Sequence, residues 1–264
     1  MEITIDNINI SKERMLEGIY KMNSFGLRLT GSSGQQKFVD YLKSEIHSMG
    51  FKTYSDLYSF DRWEEKRSSI KIINSTDDDE IEVTSAWPYS GETDENGITE
   101  EIVEIFGKHI NYLPARGKIA LVKVKDLEKV PTGFAFNQRN SFPKGLTLPK
   151  NYKGPVADSF VKIPLISVAK AMGVKAVICI WEGMTDEMVK GQYLPFIMDY
   201  QGIPALWVGE ESGKKLKKAA KEKKKVNLVL AAEKEKMQRP NHFIQSLRVK
   251  TKRKLLSSTL IPMV

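Results

Sequence analysis

Three histidines, His47, His109 and His242, are the whole supply of neutral imidazole in this chain, and they stand far apart. A hydrolytic metal site needs such ligands at short spacing, yet there is no HExxH and no His followed two positions on by Asp. His47, on a helix among polar neighbours, reads as a surface or half-buried residue, and His109 and His242 have no better flanks. Glutamate pairs at Glu64-Glu65, Glu100-Glu101 and Glu210-Glu211 have the makeup of a general base beside a bridging carboxylate. Without histidine ligands they read as charged surface. GEESGKK, residues 209–215, lies between a strand and a helix, where backbone amides can cradle an anion. Its details reject a phosphate loop: the glycine spacing is short, Lys215 stands where Ser or Thr belongs, and Glu210-Glu211 would repel phosphate. TGSSG at residues 30–34 is not a nucleophile elbow, since G-x-S-x-G is not satisfied and no strand precedes it. No catalytic residue and no metal ligand is therefore expected.

The 264 residues are enough for one large domain or two modest ones. The opening, MEITIDNINISKERMLEGIY, lacks a basic start followed by an apolar run, and no apolar stretch approaches the ~18 residues of a membrane span. A soluble, cytoplasmic protein with no membrane partner is the expectation. Cys179, the single cysteine, excludes an internal disulfide and a CxxC site, and its setting VICIW reads as a small buried hydrophobe. The net charge of +8 is unevenly spread. Residues 238–264 hold six basic groups and no acidic one, leaving 35 basic against 33 acidic in residues 1–237. Eight lysines fall in residues 214–225, with Leu216, Ala219 and Ala220 at the spacing of an inward helical stripe. A solvated helix face is the reading, and nucleic-acid binding is a remote alternative because base-stacking aromatics are missing there.

Residues 11–23 are predicted to be a helix capped by Ser11, with Met15, Ile19 and Met22 on one side. A second amphipathic helix over 35–49 presents Phe38, Tyr41, Leu42, Ile46 and Met49, closed by Gly50. Strands are expected at residues 51–60, 68–74 and 80–87, then an acidic helix-like stretch, then a strand at 117–124. Residues 129–155 carry four prolines and aromatics, too long for an idle connection. A helix ending at Gly173, apolar strands through Cys179 and at residues 203–209, the lysine helix and a strand at 226–233 complete the pattern. Strands alternating with helices predict a mixed α/β (α+β) fold.

The stretch RLTGSSGQQKFVDYLKSEIHSMGF, residues 28–51, resembles the opening of the zinc-dependent aminopeptidase and carboxypeptidase family that includes glutamate carboxypeptidase and the transferrin receptor. The motif loop that carries it is Arg28, Thr30, Gly31, Ser32 and Gly34. GKIALVKV, then AKAMGVKAVICIW, then IPALWVGEESGKKLKKAAK is similar to the protease-associated insert of that family. The resemblance, covering residues 11–235, implies a peptidase-like N-terminal segment at 1–88 and a protease-associated domain at 89–237. It also implies a two-zinc site in a full-length member, after the insert, with a His-x-Asp pair and a preceding strand. The tail 238–264 shows neither and is expected to be non-native or disordered, an unrelated ending on a truncated peptidase. On this reading the chain carries no cofactor, is inactive alone, and offers residues 129–155 and 183–200 to a peptide, a protein partner or a second copy. The alternative is a stand-alone interaction module with a native tail.

Overall fold

The computed structural model describes residues 11–26, 28–58, 60–73, 80–106, 111–125, 130–135, 143–152, 164–195, 199–235, 244–250 and 255–257. Two compact units divide them, one made of residues 1–62 with 235–264, the other of residues 63–234.

In the first unit the Ser11 hydroxyl accepts from Arg14 N (3.1 Å) and opens helix α1, Lys12–Asn23. Ser32 does the same for α2, Ser33–Ser48, accepting from Gln35 N at 3.2 Å. At the far end of α2, Gly50 takes φ +83°. There Gly50 N donates to His47 O and Phe51 N to Ile46 O, the paired bonds by which a left-handed glycine closes a helix. Phe38, Tyr41, Leu42 and Ile46 are half-buried on α2. By contrast Met15, Leu16, Ile19 and Tyr20 of α1 are exposed.

The chain then enters β1, Thr53–Tyr58, which pairs antiparallel with β12, Ile244–Lys250, from Thr53 opposite Val249 to Tyr58 opposite Ile244. β13, Leu255–Ser257, extends this sheet on the other side of β12. These parts of the basic tail 238–264 form strands, and the rest of the tail lies outside the described residues. The reason is a backbone one. β1 offers a full row of amides and carbonyls, and a ladder satisfies both strands regardless of the basic composition of the second.

The second unit holds an eight-stranded mixed sheet in the order β3-β2-β11-β5-β6-β9-β10-β4. Its strands are β2, Arg62–Ile72; β3, Glu80–Ile81; β4, Ser85–Ala86; β5, Ile98–Ile105; β6, Ile119–Lys125; β9, Ala176–Glu182; β10, Ala205–Val208; and β11, Lys225–Glu235. The block β5-β6-β9-β10 is parallel, with β11 and β4 antiparallel at its sides. The fold is therefore mixed α/β. β5 corrects the helix-like reading of residues 98–105. Ile98, Ile102 and Ile105 have helical spacing, but parallel pairing with β6 and antiparallel pairing with β11 decide the outcome.

Both faces of this sheet are buried, which is why its central strands are continuous apolar runs. Val177, Cys179 and Trp181 of β9 face one core together with Trp207 of β10. Ala176, Ile178 and Ile180 face the other, with Leu206 and Val208. The first core is closed by α4, Ile166–Ala171, through Ile166 and Ala169. The second is closed by α6, Glu210–Lys221, through Leu216 and Ala219, while most of its lysines stay exposed. Burying a leucine such as Leu216 is worth ~1.5–3 kcal/mol. Trp87, Trp207 and Trp181 stack in that order, with ring centroids 5.1 and 3.9 Å apart, and Trp207 Nε1 donates to Leu194 O at 2.7 Å.

The long excursion is pinned at its base. β7, Val130–Pro131, pairs with β8, Asn151–Tyr152, just before and around the one-turn helix α3, Thr132–Ala135. Thr132 N donates to Lys150 O at 3.0 Å, and its hydroxyl donates to Pro149 O. A second one-turn helix, α5, Asp186–Val189, lies after β9 and is capped by Thr185.

Candidate functional site

The motif loop is built to join two helices. The Arg28 guanidinium donates to Met22 O (2.8 Å) and Gly26 O (3.2 Å), carbonyls at and beyond the last turn of α1, where positive charge opposes the helix dipole. The same guanidinium lies 5.3 Å from the centre of the Phe38 ring on α2. Phe25 packs against Phe38 and Tyr41 at 5.8 and 5.7 Å, and Lys21 sits over Phe25 and Tyr41. Gly31 takes φ +79°, and its amide donates to the Gln35 side chain at 2.5 Å. Ser32 then caps α2, Gly34 is buried in the first turn and Thr30 is half-buried in the turn before it. These residues shape the junction of the two helices.

The residues with catalytic potential are committed elsewhere. His47 Nε2 lies 2.8 Å from Thr53 Oγ1 on an exposed surface, while His109 and His242 fall outside the described residues. Glu64 pairs with Lys66 at 2.8 Å, and Glu101 pairs with Lys118 at the same distance. Glu210 pairs with Lys214 at 3.2 Å and accepts from Gly183 N, so its carboxyl is held below the usual range, Lys214 being the main cause. Glu211 accepts from Asp186 N at 2.9 Å. Asp186 in turn accepts from both Ser212 N (3.1 Å) and the Ser212 hydroxyl (2.9 Å), capping α6 from outside. Of the amides that a phosphate would need, Ser212 N is taken by the Asp186 carboxylate and Glu210 N by Met184 O. Cys179 is fully buried, and burial pushes its thiol pKa up, away from the reactive thiolate.

Among the described residues, no group of three or more His, Cys, Asp or Glu stands together to hold a metal ion. The described residues alone thus supply no ligand set for the zinc pair that the sequence resemblance implies. No helix among the described residues is long and apolar enough to cross a membrane.

The fold and these positions define a mixed α/β chain of the architecture seen in solved aminopeptidases. It is similar to the aminopeptidase from Aneurinibacillus sp. strain AM-1, at 20% identity over 90% of this chain and 47% of that one, with a TM-score of 0.50. It is also similar to a zinc aminopeptidase from Bacillus subtilis, at 18% identity over 88% of this chain and 45% of that one, with a TM-score of 0.53. A peptidase M28 precursor from Shewanella amazonensis SB2B matches at 15% identity over 88% and 48%, with a TM-score of 0.55. The chain spans about half the length of the structures it matches. No family model matches it, and no curated protein does.

Proposed function

We propose that this chain is the amino-terminal and inserted part of a zinc-aminopeptidase-like protein, contacting peptide substrate or a protein partner rather than hydrolysing peptides by itself. The observation that carries this reading is the likeness to three aminopeptidase or M28 structures across about nine-tenths of the chain. It is supported by the commitment of the motif loop to the junction of α1 and α2, and of Glu64, Glu101, Glu210 and Glu211 to ion pairs and backbone amides. On this reading residues 89–237 are a protease-associated domain, and the contact surfaces are the excursion at 129–155 and the loop at 183–200. Leu146 and Leu148 on the excursion and Met188 on the loop are exposed, as a peptide-contacting surface would require. A cytoplasmic setting belongs to the same proposal, since the lone cysteine asks for no oxidising compartment.

The test is zinc content by atomic emission together with turnover of aminoacyl-p-nitroanilides by the purified chain. Substoichiometric zinc and no turnover are expected. Stoichiometric zinc with turnover overthrows the reading.

A second reading, a stand-alone interaction module with a native tail, is favoured by the six-residue ladder between β1 and β12, because it makes part of the tail integral to the first unit. Deleting residues 238–264 separates the two: the stand-alone module loses cooperative melting of the first unit, whereas an unrelated ending leaves it unchanged.

A further inference from the structure

One turn on the second unit, outside the contact surfaces at 129–155 and 183–200, brings together the groups of a spontaneous covalent reaction. Asn-Gly occurs once in the chain, at Asn96-Gly97, in the turn that leads into β5. Asparagine before glycine can react with itself, because glycine has no side chain to keep its nitrogen away from the asparagine side-chain carbon. Glycine is not optional here. Gly97 takes φ +73°, and a Cβ on it would collide with Leu228 O and lie 2.7 Å from Val229 Cγ2, both on β11. The turn is fastened to β11 on both flanks. Before it, Thr93 N donates to Leu230 O (2.8 Å) and Leu230 N to Thr93 Oγ1 (3.0 Å); after it, Ile98 pairs with Leu228.

The peptide unit that would react is held at both ends. Its nitrogen, Gly97 N, donates to Asp94 Oδ1 at 3.0 Å and to Asp94 O at 3.2 Å. Its oxygen, Asn96 O, accepts from Asn227 Nδ2 at 2.9 Å, and the same amide group donates to Thr99 Oγ1 at 2.8 Å. Asn96 N also donates to Asp94 Oδ1, at 2.9 Å. Attack on the Asn96 side chain requires Gly97 N to lose its proton and the peptide to rotate. The Asp94 charge beside that N–H disfavours the amide anion, and rotation breaks the bonds at both ends. Asn96 itself is exposed, so water reaches it.

We propose that Asn96-Gly97 is a self-modification site, converted with water to aspartate and isoaspartate when the turn opens from β11. Gly97 N loses its proton to solvent base and bonds to Asn96 Cγ. The Cγ–Nδ2 bond breaks, and Nδ2 takes a proton from water and leaves as ammonia, giving a cyclic imide. Water then opens the imide. Addition at Cγ gives aspartate, and addition at the backbone carbonyl carbon gives isoaspartate, in which the chain runs through Cγ. The sum is one water taken up and one ammonia released, with no change of oxidation state. Closure is then blocked. Isoaspartate lengthens the backbone beside a glycine that has no room for a Cβ against Leu228, and its free carboxylate adds charge next to Asp94 and Glu95. A transient opening is thereby recorded as a permanently frayed start of β5.

The test is the rate at which aspartate and isoaspartate appear at position 96 while the full chain is incubated at mildly alkaline pH, read by mass spectrometry of the peptide that contains it. In unfolding urea the conversion should run at least about tenfold faster than in buffer, because the turn is then always open. Asp94→Ala removes a charge and two hydrogen bonds and should speed conversion of the folded chain by at least about fivefold. Asn227→Ala, which releases Asn96 O, should speed it by about threefold. In urea both variants should match the parent chain. Asn227→Ala carries the test alone should Asp94→Ala fail to fold. The isoaspartate form, separated by its added negative charge, should show faster amide exchange over residues 98–102 than Asn96→Asp, which has the same charge on a normal backbone. Equal rates in urea and buffer, no conversion in urea, folded-state rates indifferent to both substitutions, or unchanged exchange in the isoaspartate form overturns the proposal.

Discussion

Gly213 lies inside α6, where glycine costs ~1 kcal/mol relative to alanine, so Gly213→Ala should stabilise the helix if only local propensity counted. Packing says otherwise. A Cβ at this position would sit 2.5 Å from Ile180 Cγ2 and 3.1 Å from its Cγ1 and Cδ1. Apolar carbons prefer ~3.5–4.0 Å, so the nearest contact is short by about 1 Å. Ile180 is fully buried on the central strand β9 and has little room to yield. Overpacking of this kind costs ~1–3 kcal/mol, which outweighs the helix gain and leaves Gly213→Ala destabilising by about 1 kcal/mol. Ile180→Ala alone should cost ~2–5 kcal/mol. In that background Gly213→Ala should become stabilising by about 1 kcal/mol, since the clash is gone and the new methyl fills part of the cavity. The double-mutant cycle should therefore show a coupling of about 2 kcal/mol. Urea unfolding followed by tryptophan fluorescence and far-ultraviolet circular dichroism, with the m-value unchanged, reads each corner. If Gly213→Ala raises the midpoint equally in both backgrounds, the close approach of α6 to β9 is not what selects glycine here.

Two further outcomes can be checked directly. Ser32→Ala removes the cap on α2 and should cost about 1 kcal/mol in the melting of the first unit, with Ser32→Asp restoring most of it. The Tyr193 pKa, raised by burial and Glu65 from 10.0 to about 12, means the folded state holds a proton that the unfolded state releases above pH 10. Its contribution is thus fully present below about pH 10 and is lost as pH rises through about 12. Tyr200, raised to about 12 by burial and its bond to Glu92, acts in the same direction. Melting temperature measured from pH 9 to 12 should fall, and Tyr193→Phe should flatten that fall; an unchanged slope would show that the phenol titrates alike in both states.

Local chemistry made much of this structure legible. Ser11 acts as a cap, Gly50 and Gly173 take positive φ at helix ends, and Leu216 and Ala219 turn inward from a lysine-rich face, while α2 starts at Ser33, two residues before the expected 35. These features depend on neighbours within a turn or two, where residue type and spacing carry the information. What escaped was decided by distant partners. β5 satisfies a helical spacing and is made a strand by β6 and β11, and β12 is made one by β1, almost the whole chain away. Glu65 reads as half of a charged surface pair, and nothing in its spacing announces Ala86 on β4, whose amide it accepts.

The first unit is assembled from the two ends of the chain, with Arg62 and Glu235 bridged at 3.5 Å where residues 63–234 leave and return. Were that intervening segment an unfolded loop, closing it would cost roughly 4–5 kcal/mol of chain entropy. Once β2 and β11 lie side by side in the finished eight-stranded sheet, most of that cost is already met. The β1–β12 ladder is therefore expected to depend for its stability on the folded second unit. A lesion deep in the second unit, such as Ile180→Ala, should therefore loosen the pairing of the chain's two ends without touching either of them.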